Sequence, residues 1–189
     1  MCKVLKEMSL EQLWQLFPIQ LTKHQFCWAD WFAEEKQLLL QLFSDSHVVR
    51  ISHIGSTAVE TIWAKPIVDI LAEFSGGCDL KMCAEIAEQA GYLRMSESDQ
   101  RISLNKGYTP EGFSRKVFHL HLRYAGDNDE LYFRDFLREH LTEAKAYETL
   151  KLELWKQYEH NRDAYTDSKT AFVRKYTEIA RLIYGNRYQ

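Results

Sequence analysis

Proline is scarce in this chain, three residues in 189. With no low-complexity tract or internal repeat either, a long disordered linker is not expected. No apolar run approaches the roughly 20 residues that span a bilayer, so no membrane helix is expected. The four cysteines, Cys2, Cys27, Cys78 and Cys83, show no Cys-x-x-Cys spacing, which points away from a zinc cluster and a disulfide framework. The stretch MCKVLKEMSLEQL mixes charges with apolar residues and lacks the core of a signal peptide, so the expected compartment is a reducing cytoplasm. Excess charge is missing too. A formal net charge of −3 gives no broad basic field and no strong case for bulk nucleic-acid binding. Any phosphate partner must be met by a local cluster. What remains is an ordinary globular composition, 46% hydrophobic and 27% charged. The length suits one domain, or one domain with a helical extension, around a sizeable core.

Periodicity then divides the chain. LEQLWQLF reads as a short helix stopped by Pro18, and residues 25–43 carry Trp28, Trp31, Phe32, Leu38, Leu39 and Leu42 at mostly helical spacing. HVVRISHI is rich in β-branched residues and reads as a strand. TAVETIW is predicted to form about two helical turns, and PIVDILAEF is the next strand, with Pro66 at its start. Asp79 is the expected N-cap of LKMCAEIAEQA, which Gly91 closes. YLRM and RISLNKGY read as strands, TPEGF as a turn, and KVFHLHLRY as a strand with clear alternation. From Asn128 onward the pattern is helical, in three segments ending at Gly185. The layout is α/β (α+β): a mixed sheet within residues 1–127, then a helical region over 128–189 expected to pack on it as one compact unit.

Three groups of residues are able to carry chemistry. In HIGSTAV, Gly55 permits close backbone approach, Ser56 and Thr57 supply hydroxyls, and a helix starting there would aim free N–H groups at an anion. The plainer alternative is a helix cap and nothing more. Asp69 sits between Ile67, Val68, Ile70 and Leu71 in a strand, where an unpaired carboxylate is costly. Alternation places Asp69, Leu71 and Glu73 on one face. Asp69 is either a strand-end acid accepting backbone hydrogen bonds or a ligand for a hard cation such as Mg2+ or Mn2+. In HLHL, His119 and His121 share a strand face, a spacing that fits a transition metal, a base with a proton shuttle, or two structural imidazoles. Arg134 and Arg138 lie four apart on one helix face, and Arg115 and Lys116 precede the His strand. They are candidate phosphate contacts, with solvated surface charge as the default. Lys151 and Lys169 rank below them.

Taken together, HIGSTAV, AKPIVDI, HLHL, FRDFLREH, AYETLK and the run Tyr165, Lys169, Phe172, Val173 resemble the GrpB family, in family order and over roughly residues 31–184. That family is similar to the polymerase-β-type nucleotidyltransferase superfamily. The resemblance implies a nucleotidyltransferase-like small mixed sheet flanked by helices, with a Gly-Ser turn followed by a strand of metal-binding acids. Gly55, Ser56 and Asp69 match that signature. The sequence departs from the superfamily signature in two places and from the GrpB pattern itself in a third. The superfamily's second acid is here Leu71, with Glu73 about 7 Å further along the strand. The strand assigned to the third acid bears His119 and His121. The Pro-Gly common after STAV is replaced by Glu60-Thr61. These departures suit one cation held by Asp69, His119 and His121, with Glu73 as a further candidate ligand, better than a paired-cation clamp.

The resemblance therefore implies metal-dependent transfer of a nucleotidyl or phosphoryl-type group from a nucleoside triphosphate, or another phosphorylated small molecule, to an acceptor. Ser56 with the Gly55–Thr57 backbone would hold phosphates, and Arg134 or Arg138 would neutralise developing charge. Two alternatives stand beside it. One is a nucleotide-binding module that has lost turnover, motivated by Leu71. The other is a phosphoester hydrolase with zinc or manganese at His119 and His121. The acceptor and the oligomeric state are not written in the sequence.

Overall fold

Alternating apolar residues in the strand segments produce a five-stranded sheet, because each alternate set has a layer of helices to cover it. The structure is a computed structural model and describes residue 5 and residues 7–189. Its strands are β1 (Val48–Ile54), β2 (Val68–Phe74), β3 (Leu93–Glu97), β4 (Arg101–Thr109) and β5 (Gly112–Tyr124), in the order β1-β2-β5-β4-β3. β2 and β5 are parallel neighbours; the other pairings are antiparallel. Among the described residues six α-helices accompany them: α1 (Leu10–Leu16), α2 (Cys27–Leu42), α3 (Leu80–Gln89), α4 (Asp129–Glu139), α5 (Leu141–Tyr158) and α6 (Arg162–Tyr184).

One sheet face is the main core. Val68, Ile70, Ala72 and Phe74 of β2 and Phe118, Leu120 and Leu122 of β5 pack against Trp28, Leu39 and Phe43, and against Leu80, Cys83, Ala84 and Ala87 of α3. Each such buried side chain contributes on the order of 1.5–3 kcal/mol. α3 is fixed at its start by Asp79, whose carboxylate accepts from the backbone N–H groups of Lys81 (2.9 Å) and Met82 (3.3 Å). Gly91 follows its end at φ +91°. The Cys78 and Cys83 sulfurs lie 3.3 Å apart as hydrogen-bonded thiols; Cys2 lies outside the described residues.

The opposite face meets the C-terminal helices. Ile54, Leu71 and Leu131 form a small apolar contact there. A larger cluster gathers Val59 and Ile62 with Tyr132, Phe136, Ala144, Tyr147 and Ala180 from α4, α5 and α6. Among the described residues, no helix is long and apolar enough to cross a membrane.

Two sequence expectations need correction. The predicted two helical turns after the Gly-Ser turn shrink to one 3-10 turn, Ser56–Ala58, because Val59 turns extended at φ −116°, ψ 105°. That extension carries Val59 and Ile62 into the helical cluster and lets Ala64 bridge to Thr22, so tertiary packing overrides helical propensity. The last helix, whose apolar pattern DSKTAFVRKYTEIARLIYG suggests a start at Asp167, begins at Arg162, since Asn161 caps it by accepting from the Ala164 N–H at 3.0 Å.

Candidate functional site

β1 runs into Gly55, whose backbone takes φ +69°, ψ −171°. A Cβ at that position would sit 2.2 Å from Asp69 Oδ2. Glycine is therefore required twice, for a positive φ and for the space the carboxylate fills. The turn is stapled from within: the Thr57 hydroxyl donates to the Ile67 carbonyl (3.2 Å) and its oxygen accepts from His53 Nε2–H (2.9 Å). Burial, helped by Arg138 and Arg134 and opposed by Asp69, pushes His53 down to about 4, so its ring is neutral.

Arg134 and Arg138 hold the same turn from behind. Arg134 donates to the His53 carbonyl at 2.9 Å and Arg138 to the Ala58 carbonyl at 2.8 Å. Arg134 also bonds Asp135 and the Tyr188 hydroxyl. Neither guanidinium lines the cavity that Ser56, Thr57 and Asp69 open onto. The helix spacing puts both on one face, as the sequence suggests, but that face meets the turn's carbonyls.

The β2–β5 register pairs Asp69 with His119 and Leu71 with His121, so both imidazoles project from the same sheet face as the acid. Asp69 Oδ1 lies 3.0 Å from His119 Nδ1, and His119 Nε2 lies 2.8 Å from the Tyr108 hydroxyl. Arg162 donates to that hydroxyl oxygen at 2.9 Å. One assignment satisfies every member: Arg162 N–H to Tyr108 O, Tyr108 O–H to His119 Nε2, His119 Nδ1–H to Asp69. Burial alone would raise the Asp69 carboxyl. The His119 hydrogen bond, with the charges of His119, His121 and His53, outweighs it and holds the acid below its ordinary value.

Facing Asp69 across a cavity of about 250 Å³ are Lys65, Lys151 and Lys169, with Ser56, His119 and Tyr165 also lining it. Lys65 and Lys169 both lie over the Tyr165 ring, at 4.2 and 4.3 Å from its centroid. Lys151, 2% exposed, donates to Ser56 Oγ at 3.1 Å and to the Trp63 carbonyl. Among the described residues Asp69 is the one acid lining the cavity, and its ion-pair contact is with His119. The three amines thus share a pocket without a carboxylate of their own. Burial, with Lys169 and Arg162 adding and Asp69 opposing, pushes Lys65 down to about 6. Burial and Lys169 push Lys151 down to about 7. Lys169 falls to about 8 through burial, against the pull of Asp69.

The remaining sequence candidates sit elsewhere. Glu73 is fully buried and saturated: Arg50 grips both its oxygens at 2.5 and 2.8 Å, and Asn128 donates at 2.9 Å. It is a structural anchor, not a further ligand for the Asp69 cavity. His121 bonds Ser103 Oγ at 3.3 Å and stands one step along β5 from His119, with ring centroids 6.5 Å apart. Burial, with His119 and Arg123 adding and Asp69 opposing, pushes its ring down to about 4. Both nitrogens of His119 are engaged, and among the described residues no three His, Cys, Asp or Glu side chains gather as a metal-ligand group. Lys65, Tyr108 and Arg162 are not among the sequence candidates, and Lys151 and Lys169 rank there below the arginines, although both lysines line the cavity. A signal existed for the lysines, since AKPIVDI, AYETLK and the Tyr165-to-Val173 run each carry one.

Comparison with known proteins bears on the family and the fold. The family described as "GrpB protein" matches residues 18–178. The glutamate-rich protein GrpB of Alkalihalophilus pseudofirmus is 35% identical over 159 residues, covering 81% of this chain and 90% of that protein. The UPF0157 protein YqkA of Bacillus subtilis is 29% identical over 91% of this chain. The chain spans 51% of YqkA, about half its length. Among solved structures, the crystal structure of conserved protein GrpB from Enterococcus faecalis superposes with a TM-score of 0.76 at 31% identity, covering 87% of this chain and 99% of that one.

Proposed function

The chain belongs to the GrpB family, and from its site we propose a cytoplasmic protein that binds a nucleoside triphosphate and transfers a nucleotidyl or phosphoryl-type group to an acceptor. In this reading residues 1–127 are a core akin to the polymerase-β-type nucleotidyltransferases, and residues 128–189 close the phosphate cavity from above. One observation carries it: three lysines without carboxylate partners, Lys151 buried and Lys65 and Lys169 half-buried, face a single acid in one cavity. Uncompensated buried cations are costly, and a polyphosphate is the ligand whose charge offsets all three. Lys151 and Ser56 hold one end of it, and Lys65 and Lys169 the other. Fixed cations in a water-poor pocket stabilise charge that develops on transferring oxygens.

The donor set does not fit a paired-cation clamp, because the second-acid position, Leu71, is fully buried against Ile54 and Leu131. It fits one Mg2+ or Mn2+ arriving with the triphosphate, for which Asp69 Oδ2 is the protein oxygen left without a hydrogen bond among the described residues. Such a cation would neutralise phosphate charge. The protein's own contribution is to fix Asp69 through the His119–Tyr108–Arg162 chain and to exclude water around the lysines. With no step requiring the histidines as ligands, the hydrolase reading falls behind.

Leu71 favours a second reading, a nucleotide-binding module without turnover. Calorimetric titration with Mg-nucleoside triphosphates, alongside assays over an acceptor panel for release of pyrophosphate (nucleotidyl transfer) or nucleoside diphosphate (phosphoryl transfer), separates the two. Binding that drops at least roughly tenfold in Lys151→Met and Lys169→Ala supports the phosphate site. Release with any acceptor selects the transferase, and binding with release from none selects the module. Absence of binding by every triphosphate overturns both.

A further inference from the structure

The phosphate cavity does not end at α6. Thr166 and Lys169 line both it and a second, larger groove of about 700 Å³ that runs between α6 and the start of α4. The sheet floor links the two. Along β5 the same face presents His119 in the cavity, then His121, then Arg123, which reaches Glu130 of the groove wall at 2.7 Å. Four residues of strand span about 13 Å, the scale of a nucleotide laid lengthwise.

The groove's chemistry differs from that of the cavity. Its guanidinium groups are already matched: Arg181 pairs with Asp129, and Arg101 holds Asp127 through two bonds at 2.6 and 2.7 Å. Asp129, Glu130 and Glu178 lie against Arg181, Arg123 and Arg174 in turn, so the walls hold paired charge and offer little free positive charge to a second phosphate. Between those charges lie Phe133 and Val173, with the exposed Thr166 and Thr170 hydroxyls on the α6 side. Phe133 is held upright by an edge-to-face contact with Tyr147, 5.3 Å between centroids at 87°. A ring braced this way offers an apolar surface at little entropic cost. Flat heteroaromatic bases with an attached sugar suit such a wall. Bare polyphosphate does not.

We infer that the α4–α6 groove is the nucleoside subsite: it holds the base and sugar of the triphosphate whose phosphates occupy the lysine cavity, with Phe133 and Val173 against the base and Thr166 and Thr170 at the sugar. This deepens the proposed function and rests on it. The acceptor therefore approaches from another side of Asp69.

The test compares inorganic tripolyphosphate with the four common ribonucleoside triphosphates by calorimetry. At least one nucleotide is expected to bind roughly tenfold tighter or more than tripolyphosphate. Thr170→Trp, which fills the groove from an exposed helix position, is expected to bring that nucleotide down to the tripolyphosphate level while leaving tripolyphosphate affinity unchanged. That unchanged affinity also reports correct folding. Should the variant lose it, Phe133→Leu replaces it with the same expectation. If no nucleotide binds tighter than tripolyphosphate, or the gain survives both substitutions, the subsite is overturned and the phosphate cavity stands. If neither tripolyphosphate nor nucleotide binds, both fall together.

Discussion

β2 and β5 present two faces that differ only in the parity of the residue number. Even-numbered positions, Val68, Ile70, Ala72, Leu120 and Leu122, enter a dry core. Odd-numbered positions on the same strands, Asp69, Glu73, His119, His121 and Arg123, form a polar floor beneath the C-terminal helices. Within that floor the two acids diverge further. Glu73 spends its oxygens on Arg50 and Asn128, whereas Asp69 keeps one oxygen on His119, sets the other against Gly55 and lines a cavity of lysines. Strand alternation places a carboxylate on a face. Whether the acid anchors the fold or meets a ligand depends on what the covering helices bring to it.

The sharpest way to break this contrast is to exchange the fates of the two acids. Glu73→Ala removes a buried carboxylate and strands the Arg50 guanidinium, a loss expected to cost about 3–5 kcal/mol. Denaturant unfolding should show that drop, while the folded fraction keeps its tripolyphosphate affinity. Asp69→Asn should leave stability within roughly 1 kcal/mol and abolish any group transfer. A Glu73 variant that stays stable but loses binding would reverse the assignment.

A smaller effect, confined to the open acid, comes from Gly55→Ala. This φ/ψ combination costs roughly 1–3 kcal/mol for a residue with a Cβ, and the new methyl group meets Asp69 Oδ2. Shifting that carboxylate breaks its bond to His119. The clash should largely vanish in an Asp69→Ala background, giving a coupling of about 0.5–3 kcal/mol in a double-mutant cycle. Additive effects would show that the turn and the acid are independent.

Much of this contrast is legible in the sequence. The alternation in PIVDILAEF and HLHL gives the strands and puts Asp69, His119 and His121 on one face, because period-two pattern is a local property. The Gly-Ser turn is legible as a turn. Its partner is not, since only the fold reveals that Gly55 is bare to make room for a carboxylate fourteen residues later. Arg134 and Arg138 read as phosphate contacts because residue type and spacing are visible, while the carbonyls that satisfy them belong to the distant His53 and Ala58. The lysine trio is the converse case. Lys65, Lys151 and Lys169 come from three separate segments, and each alone resembles a surface charge. Convergence without counter-ions is a property of packing, and no window of sequence contains it.

That convergence has a pH signature. In the free protein burial holds Lys65 down to about 6, Lys151 to about 7 and Lys169 to about 8. A polyphosphate binds the charged amines, so binding must restore protons that burial has removed. Tripolyphosphate sheds its last proton over the same range and so gains charge, which offsets only part of the proton uptake by the three amines. Its affinity should fall as pH rises from 7 to 9, by roughly tenfold or more, with net proton uptake seen as a heat that varies with the buffer's ionisation enthalpy. The unliganded protein should show the opposite trend. Between about 6 and the ordinary lysine value of 10.5 the unfolded chain holds more protons at these three positions than the folded one. Their contribution therefore makes unfolding harder as pH climbs through that window. Converting Lys65 to Met should weaken both slopes together, because it removes the amine held furthest below its ordinary value, the one that regains a proton both on unfolding and when the phosphates bind. Affinity that stays flat from pH 7 to 9, without proton uptake, would mean that the lysines are not the groups that meet the anion.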